Sequence, residues 1–217
     1  TVTFHGGLPK PGAVVRYEIH IDRFVRQGDT YLFFFRFEGT LAGRPLLTME
    51  KGCAGFFTEE ETQASGGILL SPDEEAPCSG RRPEDWRDLV PMTEESYDAQ
   101  QIAALRNGDL AGCFGPLFED LGLQEPVRLP GGRMHLVDRV VEINPAGGRF
   151  GTGLIRTEAD IRGDEWFLTC HFVDDRVMPG TLMYECCLHT LRIFLLRMGW
   201  IAEEHGIAYE PVPGTAS

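Results

Sequence analysis

The sequence predicts an α+β protein in which an antiparallel sheet wraps a buried helix. Three observations carry this. "VVRYEIHIDRF" alternates with period two, placing Val15, Tyr17, Ile19 and Ile21 on one face and Arg16, Glu18, His20 and Asp22 on the other. "TYLFFFRFEG" follows a Gln27-Gly28-Asp29 turn and is rich in the aromatics that suit a pleated surface. Residues 181–198 form the strongest helical pattern, and their apolar side chains cover nearly the whole circumference, as expected of a helix with a sheet around it.

The elements follow in order. Residues 1–58 read as a meander without a helix, turning again between Gly39 and Gly43 into "PLLTMEKGCAGFF". Residues 59–100 are acidic, bear Pro and Ser, and are poor in large apolar residues, which is the composition of a flexible linker. A short helix is expected over 100–106, ending near Asn107-Gly108. "MHLVDRVVEI", "RFGTGLIRTEADI" and "EWFLTCHF" read as strands, separated by turns at 144–148 and at Arg162-Gly163-Asp164. The long helix then starts behind Pro179, with Thr181 or a neighbour as cap, and stops at Gly199 after ~27 Å. Residues 101–205 thus make a second folded stretch, and 206–217 read as a frayed tail.

Composition excludes several function classes. The 217 residues carry 33 acids against 20 bases, a net charge of −13, which disfavours nucleic-acid and anionic-membrane partners. No stretch reaches the roughly 18 apolar residues of a membrane span. Six cysteines without a CxxC pair or a histidine grouping read as reduced, mostly buried thiols of a cytoplasmic protein. The chain opens on "TVTFHGG" with neither an initiator Met nor a secretory leader, as expected of a piece of something longer.

The chemistry concentrates in "CHFVDDRVMPGTLMYE", residues 170–185. Glu185 lies one and a half turns into the apolar helix, where burial would raise its pKa and supply a neutral carboxylic acid. His171 is the ring there that can act as a base near neutral pH. Met178-Pro179-Gly180 brings the backbone to a helix N-terminus, whose free amides can polarise a carbonyl. Base, acid and amides suit elimination of water from a 3-hydroxyacyl thioester. The same residues also admit plainer readings. His171 is then a satisfied strand-end histidine, Glu185 pairs with His189 one turn on, and Asp174 and Asp175 are loop residues. A metal site from His171, Asp174 and Asp175 is the weakest alternative.

"WFLTCHFVDDRVMPGTLMYE" resembles the active-site segment of the hotdog-fold β-hydroxyacyl-ACP dehydratases, and "MHLVDRVVEI" resembles their entry strand. The closer likeness is to the dehydratase regions of polyunsaturated fatty acid synthases and iterative polyketide synthases, where phrases like "VRYEIHI", "GCAGFFT" and "LRNGDLAGCFG" lie between tandem hotdogs. The resemblance implies that His171 removes the Cα proton, Glu185 protonates the departing hydroxyl, and Gly180, flanked by Met178 and Pro179, binds the thioester carbonyl. It implies an acyl carrier protein with a phosphopantetheine-bound acyl chain as partner, and neither cofactor nor metal. Arg176 departs from the family's proline.

The order of elements departs further. Family members place the helix before the long strands, whereas here the strands come first, so the chain reads as parts of a double hotdog. Residues 1–58 would be the last strands of one hotdog and 101–205 the front half of the next. Since the family draws its histidine and acid from partner hotdogs, a second hotdog in cis or from a homodimer is implied. An alternative arrangement wraps the strands of 15–58 around 181–198 as a permuted hotdog. The alternative functions are a non-catalytic hotdog for structure or carrier docking, and a hotdog acyl thioesterase.

Overall fold

The computed structural model describes residues 1–67, 69–123 and 126–201 and the backbone of 214–216. Most of the tail expected to fray lies outside the described residues.

The chain divides into two compact units, the first built on Thr1–Leu70 and the second beginning at Ser71. The first is an antiparallel sheet of β1 (Val2–Phe4), β2 (Val15–Gln27), β3 (Thr30–Leu41), β4 (Arg44–Phe56) and β8 (Gly214–Ala216), in the order β2-β3-β4-β1-β8. The long strands form the expected meander. Gly28, at φ 62°, turns β2 into β3, and Ala42-Gly43, at φ 50° and 76°, turns β3 into β4. These positive angles match the right-handed twist of tight hairpins. Helix α1 (Glu59–Ala64) follows, capped by Thr58 in a capping box with Glu61.

Register puts Tyr17, Ile19, Ile21 and Phe24 on the same face as Phe33, Phe35 and Phe37. Their rings touch: Tyr17–Phe37 centroids lie 5.9 Å apart and Phe33–Phe35 centroids 5.8 Å apart. Gly52 opposes Phe35, and a Cβ there would come within 2.9 Å of that ring. The other face is polar, with Arg36 paired to Asp22 and Arg23 lying 4.1 Å over Phe34. The alternation is as expected, but the apolar face is not buried: Ile19 is 64% and Phe24 76% exposed. Leu46 is the one large apolar side chain buried among the described residues of this unit.

The second unit holds the core. Its sheet is β5 (Glu95–Tyr97), β6 (Arg139–Asn144) and β7 (Leu154–Glu158), paired antiparallel in that order. Helices α3 (Ala99–Arg106), α4 (Leu110–Phe114) and α5 (Gly180–Arg197) pack with it. Helix α3 begins on an Asp98–Gln101 capping box and ends at Asn107 with Gly108 at φ 85°, close to the expected bounds. Ile102, Leu105, Val140, Ile143, Ile193 and Leu196 form the centre of the cluster. Helix α5 runs 18 residues and stops at Met198 with Gly199 at φ 85°. Its N-cap is Pro179 rather than Thr181, with no side-chain capping bond. The Thr190 hydroxyl lies 2.7 Å from that of Thr157 and ties the helix to β7.

Several expectations change. The span expected as linker contains α1, α2 (Pro72–Glu75) and β5, whose Glu95 and Tyr97 are claimed by a buried cation described below. "EWFLTCHF" is a 3-10 turn, Trp166–Thr169, rather than a strand. Its amides close on local carbonyls, as in Leu168 N–H to Glu165, and Trp166 donates to the Arg133 carbonyl at 2.9 Å. Among the six free cysteines Cys113 alone is buried, which pushes its thiol up to about 12. Helix α5 is buried on one side only, with Met183 57% and Tyr184 65% exposed. The long strands and α5 belong to different units.

The C-terminal turn of α5 is fixed by Arg197, which is buried. Its guanidinium donates to Glu95 at 2.5 and 2.8 Å, to the Tyr97 hydroxyl at 3.1 Å and to the Pro91 carbonyl at 2.9 Å. Burial pushes the Glu95 carboxyl up, but hydrogen bonds from Arg197 and Tyr97 pull it down further, so it sits below the ordinary carboxylate value. Arg197→Met leaves that carboxylate half-buried without its cation and is expected to destabilise the second unit by about 3 kcal/mol, read by urea unfolding. Because the folded value is depressed, Glu95 contributes its full stability above 4.5 and loses it as pH falls through the folded value. The Arg197→Met difference should therefore shrink in acid.

Candidate active site

The segment 170–185 passes from the 3-10 turn through an exposed loop into α5. Phe167 anchors its start, buried with Leu136 and Leu182, and Met178 and Cys186 pack on the same cluster. The cluster thus fixes both the exit of the turn and the entry of the helix.

His171 leaves the turn half-buried, with its ring stacked on Phe172 at 4.1 Å. Its Nδ1 lies 3.2 Å from the Val177 carbonyl. A carbonyl accepts only, so this contact favours the Nδ1–H tautomer and leaves Nε2 with the lone pair. The loop folds back through Val177 N–H, which donates to the His171 carbonyl at 3.1 Å. Asp174 and Asp175 are exposed in it. Among the described residues no three His, Cys, Asp or Glu side chains converge as a metal site.

Met178 and Pro179 are half-buried, and Gly180 opens the helix with nothing within 4 Å of where a Cβ would stand. The first turn of α5 has no side-chain cap, and the Leu182 and Met183 amides donate to the Pro179 carbonyl at 2.9 and 3.1 Å. Such amides carry the positive end of the helix dipole.

Glu185 was expected in an apolar, water-free setting. Its side chain is instead 36% exposed, and its Oε1 lies 3.3 Å from Nε2 of His189. Helical i+4 spacing makes this contact. The surface pairing that the spacing suggests is only half right, because His189 is 3% exposed. Neither of its ring nitrogens has a hydrogen bond among the described residues, so the Glu185 contact lies off the ring's N–H axis. Burial lowers the His189 imidazole, Glu185 raises it and Arg192 lowers it, and the net value falls below 6.5. Spacing alone pointed to this residue; nothing in the sequence signalled its burial.

His189 is therefore neutral at neutral pH in the folded protein, and its protonation favours the unfolded chain. The sign follows: below 6.5 the unfolded state binds the extra proton, so stability falls as pH falls through that window. His189→Gln should flatten the fall between pH 7 and 5, measured as melting temperature against pH.

Comparison with known proteins fits this segment. Residues 129–213 match the family model of a FabA-like domain. Over 223 aligned positions the chain is 30% identical to a polyunsaturated fatty acid synthase subunit of Thraustochytrium sp., covering 99% of this chain and 14% of that protein. The chain thus spans a small part of its relative's length. No helix among the described residues is long and apolar enough to cross a membrane. The matched stretch takes in β6, β7, the His171 loop and all of α5, and the chain accordingly carries a FabA-like domain of the hotdog fold.

Proposed function

We propose that the chain is part of a cytoplasmic multidomain synthase and dehydrates 3-hydroxyacyl chains, carried on an acyl carrier protein, to enoyl chains. The observation that carries this reading is the FabA-like match over the segment holding His171, Gly180 and Glu185. In the proposed reaction Nε2 of His171 takes the proton from Cα while the Gly180 amide holds the thioester carbonyl. The Cα electron pair forms the double bond, and the C3–O bond breaks as Glu185 donates a proton, releasing water.

Residues 1–58 serve as closing strands of one hotdog and 101–205 as the front of the next, and a second hotdog in cis or from a homodimer completes the pairing of base and acid. A second reading, a hotdog used for structure or carrier docking, is favoured by the Glu185 carboxyl being 36% exposed rather than shielded from water.

Incubation of the chain with a 3-hydroxyacyl carrier protein, followed by mass spectrometry, distinguishes these readings. Enoyl product is expected. Free acid would indicate a thioesterase, and unchanged substrate the non-catalytic hotdog. His171→Ala and Glu185→Gln are each expected to lower turnover by about 10²–10⁴-fold; full turnover in His171→Ala would remove the base from this scheme.

A further inference from the structure

Strand β2 runs along one edge of the first unit's sheet, and β8 lies at the opposite edge with β3, β4 and β1 between them. Its inner side pairs with β3 from Val15 to Gln27, while its outer side meets no strand among the described residues. Such an edge offers a row of backbone donors and acceptors on which another strand can form. All of β2 except Val15 and His20 is exposed.

The ladder with β3 fixes where each β2 side chain points. Tyr17, Ile19 and Ile21 share the aromatic face, and Arg16, Glu18 and His20 the polar one. The bulge between Ile21 and Arg23 reverses the alternation, so Phe24 joins the aromatic face and Arg23 and Val25 the polar one. Residues directly opposite in an antiparallel pair share a face. A second β2 can therefore be laid against the first about a two-fold axis in few registers, and the side chains discriminate among them.

With the axis at His20 and Asp22 left in its bulge, Ile19 faces the partner's Ile21, Glu18 the partner's Arg23, and Tyr17 the partner's Phe24. Each contact occurs twice. An axis at Ile19 instead sets Arg16 against the partner's Arg23. An axis at Ile21 sets His20 against the partner's Arg23 and Tyr17 against the partner's Arg26. Of these registers only the first matches opposite charges and apolar side chains together.

We propose that two copies of this chain pair edge to edge through β2 in the His20-centred register, joining two five-stranded sheets into one with a continuous aromatic face. The two-fold uses the same edge of both copies, so the assembly closes at a dimer. The pairing requires nothing of the candidate active site and stands independently of the dehydratase reading.

Analytical ultracentrifugation across concentration should show a reversible monomer–dimer equilibrium. Glu18→Arg and Arg23→Glu should each weaken the dimer by about tenfold or more, because like charges then face each other twice. The two substitutions together should restore it to within about threefold of the native chain, with the native circular dichroism kept throughout. His20→Cys should give a disulfide-linked dimer on mild oxidation, since a residue on the axis lies opposite its own copy at ~4.5–5.5 Å between Cα atoms. Arg16→Cys, opposite the partner's Val25, should cross-link no more than the native chain with its own exposed cysteines. A chain monomeric at every concentration overturns the pairing, as does a dimer indifferent to both charge reversals. Cross-linking through Arg16→Cys but not His20→Cys, or no recovery in the double variant, overturns the register.

Discussion

The buried guanidinium of Arg197 is the constraint on which the second unit turns. A cation removed from water must be met on several sides. Glu95, Tyr97 and the Pro91 carbonyl meet it, while Phe118 lies 5.7 Å from its Cζ. These partners come from the segment before α3 and from the turn after α4. One side chain therefore gathers both stretches around the last turn of α5. With that end held and Ile193 and Leu196 in the core, the helix has little freedom to rotate, and its first turn points where the Phe167 cluster sets it. Gly180 and Glu185 inherit their positions from contacts up to nearly five turns away.

Much of this was legible in the sequence, for reasons that differ between elements. The meander was readable because period two is a local property, and tight turns of Gly28 and Gly43 punctuate it. Helices α3 and α5 declared their ends through Asn107-Gly108 and Gly199, where positive φ is needed. The strand expected at 165–172 failed because its aromatics serve a single buried anchor, Phe167, and not a pleated face. Strand β5 was hidden in acidic composition, since Glu95 is spent on a cation a hundred residues away. No local pattern announces such a partner.

For the candidate site, the motif located His171, Gly180 and Glu185 within one continuous segment, but not their surroundings. The apolar circumference of α5 argued for a water-free glutamate, whereas the structure buries His189 and leaves Glu185 at the boundary. Periodicity shows that a helix has two apolar sides. Which side the unit itself covers depends on partners distant in sequence, and Met183 and Tyr184 lie on the side that it does not.

The uncovered aromatic face of the first unit has a practical corollary. Dyes such as ANS fluoresce on exposed apolar surface and are commonly taken to signal a molten state. Here a regularly paired sheet presents Tyr17, Ile19, Ile21 and Phe24 to solvent in its ordered form. Bright fluorescence from this chain would thus be a signature of its native state, and partial unfolding would have to be judged by hydrogen exchange at the β2–β3 ladder instead.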